Sequence, residues 1–286
     1  MAKLIKAINY WSFPGGLEGD LDVFEALHLT KEHRFEALEL GVFEAGALPL
    51  GVTETRCREI RAEADRLGVG LPSLASGLYW SRSLGDSDLA SRVKAREDLE
   101  RMIQIAAWLG AKTLLVIPGS VDVFFLPDRP PQPYEEVYKN ATEGLHQVLP
   151  LAENLGVRLG IENVWNRFLM SPHEMAAFVD QFQSQWIGAY VDLANLMPFG
   201  YAEDWLRTLG KRVVGVHFKD FRRAVGTAEG FVDLLEGDVN WPELVKALDE
   251  IRYEGPVAAE MIPGYKHHPM VRVANASNAM DAILKR

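Results

Sequence analysis

Four polar residues stand at the ends of short apolar segments, where they could hold a metal ion. Glu162 follows RLGI, Asp192 follows IGAYV, His217 lies near the end of RVVGVHF, and Glu260 closes PVAA. An unpaired carboxylate is very costly to bury, and like charges at short range repel one another unless a cation joins them. An oxygen-rich set with one nitrogen suits Mn²⁺, Mg²⁺ or Co²⁺, and Zn²⁺ also fits. We therefore predict one divalent metal at these four residues, with Mn²⁺ as the first choice.

The phase of the four residues within their segments supports this prediction. In a barrel, alternate residues of a strand face the lumen and the surrounding helices. All four lie on the lumen face of their predicted strands, and the apolar residues that helices would cover lie on the other face. Small residues stand two positions before three of the four: Gly160, Gly215 and Ala258. The alternative is a set of unrelated polar residues at a solvated rim. Matching phase on four successive strands favours the metal site.

The elements that must position these residues alternate along the chain. Short apolar segments predict strands at 4–9, 36–40, 69–75, 112–118, 157–163, 187–192, 212–218 and 256–260. Amphipathic segments predict helices at 20–31, 53–67, 87–109, 134–155, 172–183, 201–209, 241–252 and 270–284. Thr53 and Ser171 are of residue types that commonly cap the beginning of a helix. Gly110 and Gly156 directly follow two predicted helix ends.

Eight strand–helix units predict an α/β protein, a single (β/α)8 TIM barrel in which residues 1–286 form one domain. The alternative is a doubly wound open sheet with a glycine-rich phosphate loop after its first strand. The segment SFPGGLEGD is rich in glycine but does not match G-x-G-x-x-G, so we rank the open sheet lower.

Two predicted connections are unusually long, at 118–134 and 220–240. Long loops in compact domains often act as lids or binding loops. The first connection could equally form an oligomer contact, because Phe124 and Phe125 precede a run of prolines. The sequence thus leaves open whether the chain forms a homo-oligomer.

Charge and composition narrow the set of partners. The net charge of −10, with a pI near 5.3, argues against a nucleic-acid partner. Cys57 is the only cysteine, so an intrachain disulfide cannot form, which is typical of a reducing compartment. The sequence has neither the apolar run of a signal peptide nor one long enough to span a bilayer. We expect a cytoplasmic protein without a membrane partner.

The motifs GIEN, YVDLANL, VHFKD and AAE resemble the strand-end motifs of the xylose-isomerase-like barrel superfamily. The resemblance is closest to its sugar and sugar-phosphate isomerases and epimerases, including the ketose 3-epimerases. It implies that Glu162, Asp192, His217 and Glu260 hold one divalent metal, and that Glu162 and Glu260 are also the catalytic acid/base pair. It further implies that Arg223 binds substrate oxygens. Epimerases of free sugars usually have a histidine at the position of Asn195. An asparagine there resembles the sugar-phosphate branch of the family.

These features predict a divalent-metal-dependent isomerase or epimerase whose partner is a small keto sugar or sugar phosphate. A carboxylate would remove the proton alpha to the carbonyl, and the metal would stabilise the enediolate. Lys219 lies close to Arg222 and Arg223 in the sequence and favours a phosphate or carboxylate on the substrate. Its alternative partner is the adjacent Asp220. Trp165 could stack on a sugar face.

Other functions fit the same scaffold. A lyase, such as a keto-inositol or keto-acid dehydratase, needs the same metal and the same proton abstraction. A sugar-binding protein without catalysis would tolerate the loss of one carboxylate, whereas this chain has all four. A metal-dependent endonuclease needs further histidines at earlier strand ends, and the segments LELG and LAS contain none.

Overall fold

The computed structural model describes residues 3–286 and contains a closed barrel of eight parallel strands. The ten strands within these described residues are β1 (Leu4–Asn9), β2 (Ala37–Val42), β3 (Ser73–Ser76), β4 (Thr113–Val116), β5 (Arg158–Glu162), β6 (Ile187–Asp192), β7 (Val213–Phe218), β8 (Asp220–Phe221), β9 (Phe231–Val232) and β10 (Gly255–Ala259). The barrel order is β1 to β7 followed by β10, which pairs with β1. β8 and β9 form a short antiparallel hairpin within the β7–α7 connection.

In the same described part of the chain, eight α-helices follow the eight barrel strands, one after each. They are α1 (Val23–Glu32), α2 (Glu54–Leu67), α3 (Leu89–Leu109), α4 (Tyr134–Leu155), α5 (Pro172–Asp180), α6 (Ala202–Leu209), α7 (Trp241–Glu250) and α8 (Pro269–Leu284). The predicted (β/α)8 barrel is confirmed. Within residues 3–286, no helix is both long and apolar enough to cross a membrane.

Local signals at the helix ends act as the sequence predicts. The Thr53 hydroxyl accepts a hydrogen bond from Arg56 N, and the Ser171 hydroxyl accepts one from Glu174 N. Gly110 and Gly156 end α3 and α4 with φ of 73° and 69°, in the left-handed region where glycine carries no side-chain penalty. These caps satisfy backbone groups that the helix itself leaves unpaired.

Three predicted boundaries are wrong by three or four residues. α1 begins at Val23 rather than 20, because the Asp22 side chain caps it and accepts hydrogen bonds from the backbone N–H groups of Phe24 and Glu25. β3 begins at Ser73 rather than 69, because Pro72 has no N–H to donate to a neighbouring strand. α5 ends at Asp180 rather than 183, because the chain turns away and Gln183 adopts a left-handed φ of 49°. The other elements begin and end within a few residues of their predicted positions.

The small residues of the lumen make room for one large side chain. Tyr190 on β6 is completely buried, and its ring lies against Gly160 on β5 and Gly215 on β7. A Cβ at Gly215 would lie 2.3 Å from Tyr190 Cε2, and a Cβ at Gly160 would lie 3.0 Å from Tyr190 Cδ2. The two glycines therefore accommodate an aromatic ring beneath the polar residues at the strand ends.

Gly215→Ala is expected to destabilise the protein, because the new methyl group overlaps the buried Tyr190 ring. Overpacking of a core typically costs about 1–3 kcal/mol, which urea unfolding would measure. Gly51→Ala is the matched control, because a Cβ there meets no atom within 4 Å. Equal stability of the two variants would contradict the packing described for Tyr190.

Candidate active site at the carboxyl ends of the strands

The structure brings the four strand-end residues together in a buried cluster. His217 Nδ1 lies 3.1 Å from Glu162 Oε1, 3.7 Å from Glu260 Oε1 and 4.0 Å from Asp192 Oδ2. All four residues are buried. They lie at the carboxyl ends of β5, β6, β7 and β10, the end of the barrel at which TIM-barrel enzymes build their active sites.

The side chain of Asn163 and a backbone turn hold Asp192 in place. Asn163, next to Glu162, pairs with the backbone of Asp192 through both its amide atoms, at 2.8 and 2.9 Å. Asp192 Oδ1 accepts hydrogen bonds from the backbone N–H groups of Ala194 and Asn195, at 2.9 and 2.8 Å. This turn uses one carboxylate oxygen and points the other, Oδ2, toward the cluster.

The cluster has the donor atoms that a cation needs. Glu162, His217 and Glu260 each offer one ligand atom, and these atoms lie within 4.8 Å of one another. Asp192 lies outside that group of three, but its Oδ2 is buried and has no hydrogen-bond partner among the described residues. An orphaned buried carboxylate oxygen is costly. Oxygen and imidazole donors suit a divalent ion, so these residues fit the predicted metal.

Lys219 supplies the positive charge nearest to the cluster. Its Nζ donates to Glu260 Oε2 at 2.5 Å and lies 3.7 Å from Asp192 Oδ2. The alternative pairing of Lys219 with Asp220 is wrong. Asp220 is buried on the other side of the chain and accepts hydrogen bonds from backbone N–H groups, including that of Leu235, and from Trp241 Nε1. Lys219 is thus part of the wall of the site.

The carboxylates in the cluster differ in their electrostatic surroundings. Burial, together with the charges of Glu260 and Asp192, raises the pKa of Glu162 to about 7, although His217 opposes the shift. Burial alone would also raise the pKa of Glu260, but Lys219 and His217 more than offset it and lower that pKa. Burial is the main cause of the raised pKa of Asp192. The cluster carries more negative charge than Lys219 alone balances, which favours a cation.

The other predicted substrate-binding residues lie around the rim. Trp165 Nε1 donates to the carbonyl oxygen of Asn195 at 2.7 Å, and Asn195 Nδ2 donates to the carbonyl oxygen of Asn163 at 3.2 Å. The Trp165 ring packs 5.0 Å from that of Phe231. These contacts connect the ends of β5 and β6 to the hairpin in the β7–α7 connection.

Arg223 lies farther from the cluster. Its guanidinium donates to the carbonyl oxygen of Gly200 and lies 4.1 Å from the centre of the Tyr201 ring. Within residues 3–286, no hydrogen bond or ion pair joins Arg223 to the four clustered residues. The structure therefore places Lys219 at the cluster, whereas the Arg223 side chain packs against the β6–α6 loop.

One buried carboxylate in contact with the cluster was not predicted. Glu39 on β2 lies 2.6 Å from His217 Nε2 and is completely buried. The alternation that identifies the lumen face of the later strands also applies to LELG, where Leu38 and Leu40 flank Glu39 in the opposite phase. Glu39 lies in the middle of its strand, because β2 continues to Val42. A prediction based on the residues at strand ends therefore does not include it.

The chain is similar to sugar-phosphate and sugar epimerases over nearly its whole length. It is 26% identical over 273 residues to "Putative L-ribulose-5-phosphate 3-epimerase SgbU" of Escherichia coli (strain K12), covering 93% of each chain. It is 25% identical over 262 residues to L-ribulose-5-phosphate 3-epimerase UlaE of Salmonella paratyphi A, covering 90% of this chain and 88% of that one. Its fold matches the crystal structure of D-psicose 3-epimerase in the presence of D-fructose, with a TM-score of 0.77, 18% identity, and coverage of 99% of this chain and 100% of that one.

A family model agrees with the resemblance carried by the strand-end motifs. The model described as xylose isomerase-like TIM barrel matches residues 27–283. That range includes the barrel strands from β2 to β10 and all four clustered polar residues. The chain belongs to the xylose isomerase-like TIM barrel family.

Proposed function

We propose that this chain is an isomerase, a divalent-metal-dependent epimerase that acts on a keto sugar or its phosphate. The observation that carries the proposal is the buried cluster around His217 Nδ1, in which Asp192 Oδ2 has no hydrogen-bond partner among residues 3–286. The two relatives named as L-ribulose-5-phosphate 3-epimerases support the same class of substrate. A sugar phosphate as substrate would place the enzyme in the cytoplasm.

Glu162, Asp192, His217 and Glu260 would hold the cation, with Mn²⁺ as the first candidate. When bound, a divalent cation acts as a Lewis acid that stabilises the negative charge that develops on the substrate oxygens. Asp192 Oδ1 is occupied by backbone N–H groups, so Asp192 would contribute Oδ2. Lys219 would remain hydrogen-bonded to Glu260 Oε2, which leaves Oε1 facing His217.

Glu162 and Glu260 would carry the proton. They extend from β5 and from the end of β10, two strands that lie on either side of β7 in the barrel order, and both approach His217 Nδ1. For one epimer of the substrate, one carboxylate removes the proton from the carbon alpha to the carbonyl, and the other gives a proton to the opposite face. The roles reverse for the other epimer, because epimerisation is reversible. Both groups are buried, so each should exchange its proton with solvent more slowly than an exposed carboxylate does.

Trp165, Asn195 and Arg223 would bind the substrate at the rim, together with Lys219. The Arg223 guanidinium is held by Gly200 and Tyr201 at the mouth of the barrel, where it could pair with a phosphate at the far end of a short sugar. A charge-assisted hydrogen bond to phosphate is stronger than a neutral one. The phosphorylated ketose is therefore the favoured substrate.

A ketopentose 5-phosphate is expected to give a higher kcat/KM than the free ketopentose, by roughly 10–100-fold, the value of one or two charged hydrogen bonds. The measurement is epimer formation followed by NMR in the presence of Mn²⁺. Arg223→Gln should reduce this preference. Arg222→Gln is the matched control, because Arg222 is exposed and pairs with Glu236.

The outcomes separate the parts of the proposal. Equal turnover of both sugars would contradict the preference for phosphate and leave the epimerase activity intact. Turnover of neither sugar, nor of other ketoses and ketose phosphates with Mn²⁺, Mg²⁺, Co²⁺ or Zn²⁺, would contradict the proposed function itself.

A further inference from the structure

A buried carboxylate beneath the candidate metal site has no role in the proposed proton transfer. Each oxygen of Glu39 has two hydrogen-bond partners. Oε1 lies 2.7 Å from Asn9 Nδ2 and 2.6 Å from His217 Nε2. Oε2 lies 2.6 Å from the Ser73 hydroxyl and 2.5 Å from the Tyr190 hydroxyl. Partners from four other strands, β1, β3, β6 and β7, thus fix this carboxylate in the lumen.

These contacts make Glu39 an acceptor only. The amide nitrogen of Asn9 can only donate, and the hydroxyls of Ser73 and Tyr190 both donate to Oε2. Three neutral donors that point at one carboxylate stabilise its ionised form. An ionised carboxylate has no hydrogen to donate. The hydrogen between Glu39 and His217 must therefore lie on Nε2 of the imidazole.

With its hydrogen on Nε2, His217 presents Nδ1 to the cluster. Nδ1 is the ring nitrogen that lies 3.1 Å from Glu162 Oε1 and 3.7 Å from Glu260 Oε1. A neutral imidazole that carries its hydrogen on Nε2 has a lone pair on Nδ1, which is the form that binds a metal. The opposite tautomer would turn an N–H toward the carboxylates and could not coordinate a cation there.

Packing prevents the imidazole from rotating out of this arrangement. The Tyr190 ring lies 4.7 Å from the His217 ring, edge to face at 61°. Tyr190 itself is confined by Gly160 and Gly215 and by its hydrogen bond to Glu39. A rotation of His217 would break the contact with Glu39 and displace the tyrosine ring.

We propose that Glu39 is a positioning residue that fixes the tautomer and orientation of His217, so that Nδ1 is available to a divalent cation. The effect on the cation rests on the proposed function, whereas the contact between Glu39 and Nε2–H does not. Removal of a carboxylate partner of a metal-binding histidine typically lowers metal affinity by roughly 10–100-fold.

The first test uses the wild-type protein with ¹⁵N-labelled histidine. NMR should show an Nε2–H of His217 that exchanges slowly with solvent. Addition of Zn²⁺, which is diamagnetic, should shift the Nδ1 resonance and leave Nε2 protonated. Zinc on Nε2, or an Nε2 without hydrogen, would overturn the proposal, and this test needs no variant to fold.

The second test compares Glu39→Gln with Ser73→Ala. Glutamine keeps the shape of Glu39 but removes its charge, whereas Ser73→Ala removes one hydrogen bond to Glu39 and leaves its contact with His217. Calorimetric titration with Zn²⁺ should show roughly 10–100-fold weaker binding for Glu39→Gln and a far smaller change for Ser73→Ala. Faster exchange of Nε2–H in Glu39→Gln should accompany the loss of affinity. Equal affinities in both variants and the wild type would overturn the proposal.

Failure of the proposed function gives a different result. If the wild-type protein shows the slowly exchanging Nε2–H but binds none of Mn²⁺, Mg²⁺, Co²⁺ and Zn²⁺, the metal-dependent function is wrong, while the orientation of His217 by Glu39 is supported. If metal binds with the same affinity in wild type and Glu39→Gln, the metal site is supported and the role of Glu39 is wrong.

Discussion

Glu162→Gln and Glu260→Gln are each expected to reduce epimerisation by roughly 10²–10⁴-fold, the usual contribution of a positioned acid or base. Glutamine has nearly the same shape as glutamate but cannot accept the proton from the substrate. In the proposed scheme each glutamate transfers a proton at one face of the substrate, so either substitution should slow conversion in both directions.

Solvent exchange distinguishes the two glutamates. In D₂O, each variant should lose deuterium incorporation at the alpha carbon of the epimer whose proton the missing carboxylate removes. The other epimer can still exchange through the remaining carboxylate. NMR of each purified epimer, incubated separately with each variant, would measure both rates.

Controls must separate proton transfer from loss of the metal, because the same residues are proposed ligands. The metal content of each variant should be measured, and exchange compared at saturating Mn²⁺. Glu236→Gln, an exposed glutamate on the β7–α7 connection, should behave as the wild type. Exchange at the wild-type rate from both epimers in both variants would remove Glu162 and Glu260 from the role of base.

Much of the fold could be predicted because its signals are local. Thr53, Ser171, Gly110 and Gly156 mark helix ends by their own chemistry, and the structure uses each of them as a cap. The beginning of β3 was less predictable. Val69 and Leu71 have the composition of a strand, but Gly70 makes only an isolated bridge with Ala37.

The site was predictable where side-chain alternation applies and less so elsewhere. Glu162, Asp192 and His217 come together because strand periodicity determines the face on which each side chain lies. The same rule explains why Lys219 does not pair with Asp220, since neighbours in an extended chain point to opposite sides. Arg223 follows in an irregular loop without periodicity, so its contact with Tyr201 could not be derived from spacing.

The partners of buried groups depend on contacts that are distant in sequence. Glu39 and His217 are separated by 178 positions, and Tyr190 reaches Glu39 across the lumen from 151 positions away. Hydrophobic patterning identifies which side of a strand faces the lumen but not which lumen residues touch. The contacts on which the proposed role of Glu39 depends therefore exist only in the closed barrel.

Removal of the metal is expected to abolish epimerisation, and binding should depend on pH in a defined direction. The pKa of Glu162 is raised to about 7 by burial and by the carboxylates of Glu260 and Asp192. Below that pH, Glu162 holds a proton that a cation must displace, because metal ligands bind in their deprotonated form. Affinity for Mn²⁺ should therefore rise with pH up to about 7, with Glu162 contributing up to about tenfold per pH unit, and this contribution should then level off.

Calorimetric titration with Mn²⁺ at pH 6 and 8, in buffers of different ionisation enthalpy, measures both the affinity and the protons released. The wild type should release more protons at pH 6 than at pH 8. Glu162→Gln should lose the part of this difference that Glu162 contributes, and activity of the chelator-treated wild type should return when Mn²⁺ is added. Full activity after the metal has been removed, or an affinity that does not change with pH, would show that these carboxylates do not hold a catalytic cation.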